Sequence, residues 1–341
     1  MANPDDDAPL RRAIKETLEK RVRFGEPIGA RFVPLEAPAE VLRAHALPPR
    51  PDPRFQPKAF KAWRQVFSAP LRFIPPAPVA SYFTLQLRSR QGLAQVPGGT
   101  TGVLPDMRET NQASSNWSGA VVLGPEDGML SSVAGSWQVP RAKAPGVPGM
   151  AEEWRGSVWA GLDGFAGASR AMPQLGTVHI APNNAPATAN AWWQWWMVDD
   201  PLNFPVDLPL AVKPGDTVGV LLSVIGPDLV NFLLKNASTG DVAHFDALSP
   251  DGLPVECHTA EWIVERQTAK GGTDLLPFAD YAECKFHDCV ALSDAAGRAE
   301  SEPANGILLR MADWTGPDDF GRVISTVADV SATGMRTIYV P

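Results

Sequence analysis

The feature that most constrains the fold is a series of short alternating runs that begins at about Ser114. Runs such as 132–140, 216–225 and 259–265 alternate apolar and polar residues and are separated by Gly, Pro, Asn and Asp. Period-two alternation with turn residues about every ten positions is typical of antiparallel strands. The sequence therefore predicts an all-β fold, an antiparallel β-sandwich or barrel, and argues against long helices.

The first 110 residues differ from the rest in charge. They carry 17 Lys and Arg against 11 Asp and Glu, a net of +6, within a chain whose total is −8. The remaining residues therefore hold a net of −14. We expect residues 1–110 to be a basic, Pro-rich region that is attached to an acidic domain over residues 111–341, because opposite charges on one chain attract.

The basic region contains two kinds of local pattern. Asp7 as a cap, Pro9 in the first turn and Lys20 and Arg21 near the end predict a helix at the N-terminus. From Leu47 to Pro78 the frequent prolines predict extended chain. The N-terminus shows no apolar stretch of the kind found in a secretion signal.

Several functional classes are excluded by composition and motif. No apolar run approaches the roughly 18 residues of a membrane span, and the acidic total argues against nucleic acid as a partner. The sequence contains no GxSxG, HExxH or GxxxxGK[ST]. Five residues could be considered as zinc ligands: Cys257, His258, Cys284, His287 and Cys289. They do not show the CxxC spacing of a zinc site, so we expect no metal and no cofactor. On a straight strand Cys284 and Cys289 would face opposite sides.

Tryptophan is concentrated in the acidic domain, which holds ten of the 11 residues of this type. The run AWWQWW is the densest part. On a strand, Trp192, Gln194 and Trp196 share one face and Trp193 and Trp195 share the other. A polar residue among four tryptophans predicts that one face lines a groove for an extended polymer, either a peptide or a sugar chain.

Two glutamates of the run TAEWIVE are candidates for acid–base chemistry. Alternation places Glu261, Ile263 and Glu265 on one face of a strand. Four residues at 3.3 Å each separate Glu261 from Glu265 by about 13 Å, which exceeds the spacing of a glycosidase pair. A glycosidase would need a second acid from another strand, such as Asp163.

Seven motifs occur together in an order that resembles one enzyme family, the glutamic peptidases of family G1, also called eqolisins. They are SSNWSGAVV, GSWQVP, VWAGLDG, PQLG, AWWQWW, KPGD and AEWIVE, between Ser114 and Glu265. The resemblance implies a β-sandwich of two large antiparallel sheets related to the lectin-type jelly roll. It also implies a metal-independent, acid-acting endopeptidase with polypeptide substrates.

The resemblance assigns individual residues. The catalytic dyad falls on Gln174 of PQLG and on Glu265, the second glutamate of AEWIVE. An ionised Glu265 would take a proton from the attacking water, and the Gln174 amide would donate to the oxyanion. The substrate groove falls on the residues Trp117, Trp159, Asp163, Trp192 and Gln194. The family commonly has a glutamate at the position of Gln194, so this chain lacks a negative charge beside the dyad.

The family's precursors have a basic prosegment ahead of the catalytic domain. By resemblance, residues 1–110 would cover the groove through Lys and Arg contacts and make the chain a self-inhibited zymogen. We also expect a monomer. Cleavage is expected between about Ser89 and Ser114, and the resemblance implies secretion. Two alternatives remain, a carbohydrate-binding or glycan-hydrolysing β-sandwich and a non-catalytic peptide-binding relative.

Overall fold

Over the acidic domain, the runs of alternating apolar and polar residues coincide closely with the observed strands. The computed structural model describes residues 8–74, 87–88, 111–126, 128–146, 151–165, 169, 171–197, 205–269, 275–294, 299–316 and 319–341. Within these ranges the chain forms three α-helices and 20 strands. None of these helices is both long and apolar enough to cross a membrane.

The helices are α1 (Ala8–Arg21), α2 (Ala39–Ala44) and α3 (Pro57–Val66). The first ten strands are β1 (Val22–Arg23), β2 (Arg72–Phe73), β3 (Leu87–Arg88), β4 (Asn111–Ser114), β5 (Trp117–Leu123), β6 (Leu130–Gln138), β7 (Glu153–Leu162), β8 (Ala171–Pro182), β9 (Thr188–Met197) and β10 (Val206–Asp207). The others are β11 (Thr217–Gly226), β12 (Leu229–Asn236), β13 (Asp241–Leu248), β14 (Thr259–Glu265), β15 (Thr268–Ala269), β16 (Glu283–Ser293), β17 (Glu300–Ser301), β18 (Ile307–Gly316), β19 (Asp319–Ser331) and β20 (Gly334–Tyr339).

The strands form an antiparallel β-sandwich, as the sequence predicts. The first sheet has the order β10-β9-β8-β7-β14-β5-β18. The second has the order β16-β6-β11-β12-β13. Strands β19 and β20 connect β18 to β16 along one edge. Each sheet therefore has an inner face toward its partner and an outer face away from it.

Alternation along each strand sorts the apolar residues between these faces. On β14, Trp262 and Val264 belong to the inner core, whereas Ile263 belongs to a separate cluster on the outer face of the first sheet. On β9, Trp193 and Trp195 point inward and Trp192 and Trp196 point outward. Both assignments confirm the faces that alternation predicts, so Glu261, Glu265 and Gln194 lie on the outer face.

The N-terminal helix is confirmed as α1, although Asp7 lies outside the described residues. The prediction of extended chain from Leu47 to Pro78 is wrong in its middle, where α3 forms. Pro57 occupies the first turn of α3, where a missing N–H costs nothing, and the next proline is Pro70. The prolines therefore bound this helix rather than prevent it. The last part of the predicted stretch, residues 75–78, lies outside the described residues.

All three cysteines are buried free thiols. A register shift between His287 and Val290 in the pairing of β16 with β6 breaks the alternation. As a result Cys284 and Cys289 both contribute to the inner core, instead of facing opposite sides as on a straight strand. Burial raises the pKa of Cys257 to about 12. No group of three or more His, Cys, Asp or Glu residues within the described ranges could hold a metal ion.

Candidate active site

The outer face of the first sheet carries a fully buried carboxylate, that of Glu265 at the end of β14. Its Oε2 accepts hydrogen bonds from Trp159 Nε1 at 2.9 Å and from Ser157 Oγ at 3.5 Å. Its Oε1 accepts from Trp117 Nε1 at 3.3 Å and from Asn116 Nδ2 at 3.4 Å. Both oxygens of this buried carboxyl group thus accept hydrogen bonds from neutral donors.

The motif SSNWSG places two of these donors. The hydroxyl of Ser114 accepts from the backbone N–H of Trp117 at 3.0 Å and of Asn116 at 3.3 Å. The Asn116 carbonyl accepts from the Arg266 N–H at 2.8 Å, which ties the turn to the residue after Glu265. Trp117 and Trp159 then meet edge to face at 5.0 Å between ring centroids.

Sequence reasoning missed Asn116 and Ser157 as members of the site. Asn116 lies inside a motif that is recognisable in the sequence, so that motif was the available signal. Ser157 has no comparable signal. Its role follows from register, because Ser157 lies opposite Glu265 where β7 pairs with β14.

The side chain of Gln174 lies on the same face, two strands away from β14. Gln174 and Gln194 are directly opposite each other where β8 pairs with β9, and Gln174 Nε2 donates to Gln194 Oε1 at 3.2 Å. Both residues are buried. Gln194 thus supplies an oxygen acceptor at this position, as a glutamate would, but without the negative charge.

Register places Gln174 in line with Glu261 rather than with Glu265. Gln174 lies opposite Gly161, which in turn lies opposite Glu261. Glu265 lies four residues further along β14, so in a flat sheet its Cα would be about 16 Å from that of Gln174. The indole of Trp159 extends between the row of paired residues that contains Gln174 and Glu261 and the position of Glu265.

Gly161 and Trp159 connect the two halves of the site. A Cβ placed on Gly161 would lie 3.0 Å from Cζ3 of Trp159 and 3.1 Å from Cβ of Gln174. The same indole donates its N–H to Glu265. One ring therefore contacts the glutamate at one end and reaches the backbone beside the glutamine at the other.

Glu261 is the second buried carboxyl on this face. It is fully buried, and within the described part of the chain its oxygens make no hydrogen bond of normal geometry. Burial raises the pKa of Glu261 well above its ordinary value, and the nearby Thr259 hydroxyl opposes this only in part. Glu261 is therefore protonated over a wider pH range than an exposed glutamate.

The two remaining groove candidates are placed differently. Trp192 lies on the outer face beside Gln194 and is 2% exposed. Asp163 lies past the end of β7, where its carboxylate accepts from the backbone N–H of Cys257 at 2.8 Å and of His258 at 2.7 Å. Burial raises the pKa of Asp163. The carboxylate of Asp163 holds the loop that leads into β14, at the opposite end of that strand from Glu265.

The described ion pairs of the N-terminal region lie away from the groove, while residues 75–86 and 89–110 of that region lie outside the described residues. Four ion pairs join it to the acidic domain in the described residues: Arg43–Asp246, Lys58–Glu302, Lys61–Asp288 and Arg72–Asp241. All four lie on or beside the second sheet, on the far side of the sandwich from Glu265. The element nearer to the site is β3, which pairs with β15, and β15 begins three residues after Glu265.

The fold is similar to that of solved glutamic peptidases. The chain is similar to scytalido-glutamic peptidase, crystallised with a transition state analog inhibitor, with 21% identity, a TM-score of 0.53, and coverage of 66% of this chain and 98% of that chain. It is also similar to SCP-B, a member of the eqolisin family of peptidases solved with the tripeptide Ala-Ile-His. That match has 20% identity, a TM-score of 0.51 and the same coverage. No curated protein sequence matches this chain.

The protein thus has the antiparallel sandwich fold of a glutamic peptidase, and it carries a buried glutamate and a buried glutamine on one outer face. Residues 115–334 match the model of the Peptidase A4 family. The chain belongs to this family, that of the G1 glutamic peptidases or eqolisins, and is a hydrolase that acts on peptide bonds. The matched range includes the C-terminal strands, where the motif resemblance weakens.

Proposed function

We propose that the chain is an acid-acting endopeptidase in which Glu265 and Gln174 activate water for peptide-bond hydrolysis. The observation that carries the proposal is the buried Glu265 carboxylate, held by four neutral donors on the same face as Gln174. An ionised Glu265 accepts a proton from the attacking water and returns it to the leaving amine.

Gln174 supplies the second part of the mechanism. Gln174 Nε2 donates to Gln194 Oε1 at 3.2 Å, a contact that orients the amide. In the proposed mechanism this amide nitrogen, a hydrogen-bond donor, donates to the oxyanion that develops on the substrate carbonyl. A fixed dipole of this kind contributes about 100- to 1,000-fold to the rate.

The experiment compares two glutamates on one face of β14. In casein digestion at acid pH, Glu265→Gln should lose at least about 100-fold in rate, because the general base is removed. Glu261→Gln is the matched control and should retain activity, since a protonated acid is replaced by a neutral amide of the same shape. Gln174→Ala should also lose activity. If Glu261→Gln is inactive and Glu265→Gln is active, the dyad is wrong.

We further propose that the chain is made as a self-inhibited zymogen. Glu265 is 1% exposed, so a polypeptide reaches its carboxylate only after a covering element moves. The pairing of β3 with β15 brings the N-terminal region close to the site. Gln112, Ala113 and Ser114 of β4 are buried and β4 pairs with β18, which favours cleavage before Asn111. Residues 89–110, where the cut is then expected, lie outside the described residues.

The zymogen proposal has its own test. Purified chain is incubated at acid pH and its length is followed together with casein digestion. Shortening of the wild-type chain before digestion starts, with Glu265→Gln remaining full length, supports self-processing. Full-length wild type that digests casein contradicts the zymogen and leaves the dyad unaffected.

The carbohydrate alternative needs accessible indole faces for stacking. The tryptophans on the outer face, Trp117, Trp159, Trp192 and Trp196, are at most 9% exposed. These rings are buried together with Glu265, so their burial does not distinguish the two readings; the family match over residues 115–334 favours the peptidase. A non-catalytic peptide-binding relative would bind peptides in the assay above and release no products.

A further inference from the structure

An apolar cluster joins the N-terminal region to the outer face of the second sheet. The sheet contributes Ala134, Leu221, Leu233, Val242, Val290 and Leu292. The N-terminal region contributes Ala37, Leu42, Leu47, Ala59, Ala62, Trp63, Val66 and Phe67. Trp63 and Phe67 are each 1% exposed. The interface thus buries large apolar side chains from both sides.

Two buried polar side chains of the sheet donate hydrogen bonds to the N-terminal region. The Asn231 side chain donates to the Ala46 carbonyl at 2.7 Å, and Lys235 Nζ donates to the Ser68 carbonyl at 2.6 Å. Lys235 is 3% exposed. The N-terminal region thus covers both side chains and supplies a carbonyl acceptor to each.

Main-chain pairing extends the second sheet with N-terminal strands. β1 pairs with β13 in antiparallel fashion, and β2 pairs with β13 in parallel. Just before β1, Ile14 and Leu18 of α1 enter the inner core between the sheets. The N-terminal region therefore contributes to both the inner core and the outer face.

We propose that residues 8–74 are an integral part of the folded peptidase, docked on the second sheet, and that they stay bound when the chain is cut between residues 89 and 110. The family match begins at residue 115, so this docked part lies outside it. The processed protein is then a two-chain complex, in which the docked part stabilises the side opposite Glu265. This inference concerns binding and does not depend on the dyad.

The test introduces a site for a specific protease between residues 95 and 105 of the full-length Glu265→Gln chain, which prevents self-digestion. After cutting at neutral pH, gel filtration should show both fragments in one peak at the mass of the intact chain, 36.6 kDa. Two separate peaks of folded fragments would overturn the proposal.

A pair of variants checks that the docking surface holds the fragment. Trp63→Ala combined with Phe67→Ala should release the N-terminal fragment at least tenfold faster after cutting. The control is Phe55→Ala, since Phe55 belongs to the same region and is 57% exposed; it should behave as wild type. Equal release from all three chains would contradict the assigned surface.

Hydrogen exchange gives a readout that needs no core variant. The N–H of Arg72 donates to the Gly240 carbonyl at 2.8 Å, and that of Ile74 donates to the Val242 carbonyl at 3.0 Å. Both amides should keep their protection after the cut. Loss of protection on cutting, with the rest of the sandwich still protected, would mean that docking needs the covalent link.

Discussion

The residues around Glu265 hold a carboxylate in a dry environment through neutral hydrogen-bond donors. Trp159 makes the shortest of these contacts, 2.9 Å from Nε1 to Oε2. A buried carboxyl group depends on its hydrogen-bond donors, because they replace part of the hydration that burial removes. The tryptophan side chains therefore have a polar role through their N–H groups as well as an apolar role through their rings.

Trp159→Phe keeps a ring in place and removes the N–H. A hydrogen bond to a charged group contributes about 1.5–3 kcal/mol, so kcat/KM should fall about 10- to 150-fold. The measurement is steady-state hydrolysis of a peptide substrate. The control is Trp137→Phe, which removes an N–H that donates to Thr177 in the inner core; a similar kinetic loss there would refute a specific role for Trp159.

Gly161 provides the space in which the indole of Trp159 passes Gln174. Gly161→Ala would place a methyl group 3.0 Å from the Pro173 carbonyl oxygen, 3.0 Å from the ring and 3.1 Å from the Gln174 Cβ, so these neighbours must give by a few tenths of an ångström. A displacement of 1 Å costs about 100-fold in rate, and we expect about tenfold here. Gly226→Ala, whose nearest atom is Leu229 Cβ at 3.4 Å, should leave the rate unchanged. Equal rates for both variants would exclude this role.

At the scale of elements, β2 attaches the N-terminal region to the edge of the second sheet. The Arg72 guanidinium donates a hydrogen bond to Asp241 and lowers the pKa of that carboxyl. Because the pKa of Asp241 is lower in the folded protein than its ordinary value of 3.8, the ion pair stabilises the attachment at pH values above 3.8. This contribution is lost as the pH falls below that value and through the lowered pKa. The ion pair therefore resists mild acid.

Arg72→Ala should weaken the attachment of β2 at pH 7 and at pH 5, and its effect should decrease as the pH falls below 3.8 and Asp241 becomes protonated. The rate of hydrogen exchange at Ile74 N–H measures this. Arg54→Ala is the matched control, because Arg54 pairs with Asp52 inside the N-terminal region and not across the interface. An effect of Arg72→Ala that does not change with pH would exclude the ion pair as its source.

At the scale of the whole molecule, a buried histidine links stability to pH. His179 is fully buried between β7 and the aromatic rings of Phe278 and Tyr281. Burial lowers the pKa of His179 to about 3, from an ordinary value of 6.5. The neutral form is thus favoured by folding. The stability that it contributes is complete above pH 6.5 and decreases as the pH falls toward 3.

Unfolding free energies at pH 7 and pH 5 test this dependence. One histidine with these two pKa values accounts for a loss of about 2 kcal/mol between the two pH values. His179→Met should reduce the measured difference by about that amount. His258→Gln, at an exposed histidine, should keep the wild-type difference. If His179→Met also keeps it, the histidine is not the source of the acid sensitivity.

The sequence by itself determined the sandwich, the faces of β9 and β14 and the family. These follow from local alternation and motif order, which need no knowledge of distant contacts. It also indicated a basic region that binds an acidic domain through ion pairs. The prediction of extended chain was wrong at α3, because it rested on the overall frequency of proline and ignored the proline-free stretch between Pro57 and Pro70.

Only the tertiary structure decided where these parts meet. Strand register, which depends on pairing between distant segments, placed Gln174 in line with Glu261 and gave Glu265 its Ser157 contact. Asp163 became the anchor of a loop because two amides distant in the chain point at its carboxylate. The side of the sandwich that residues 8–74 cover was decided by apolar packing against the second sheet, since net charge attracts without specifying a face.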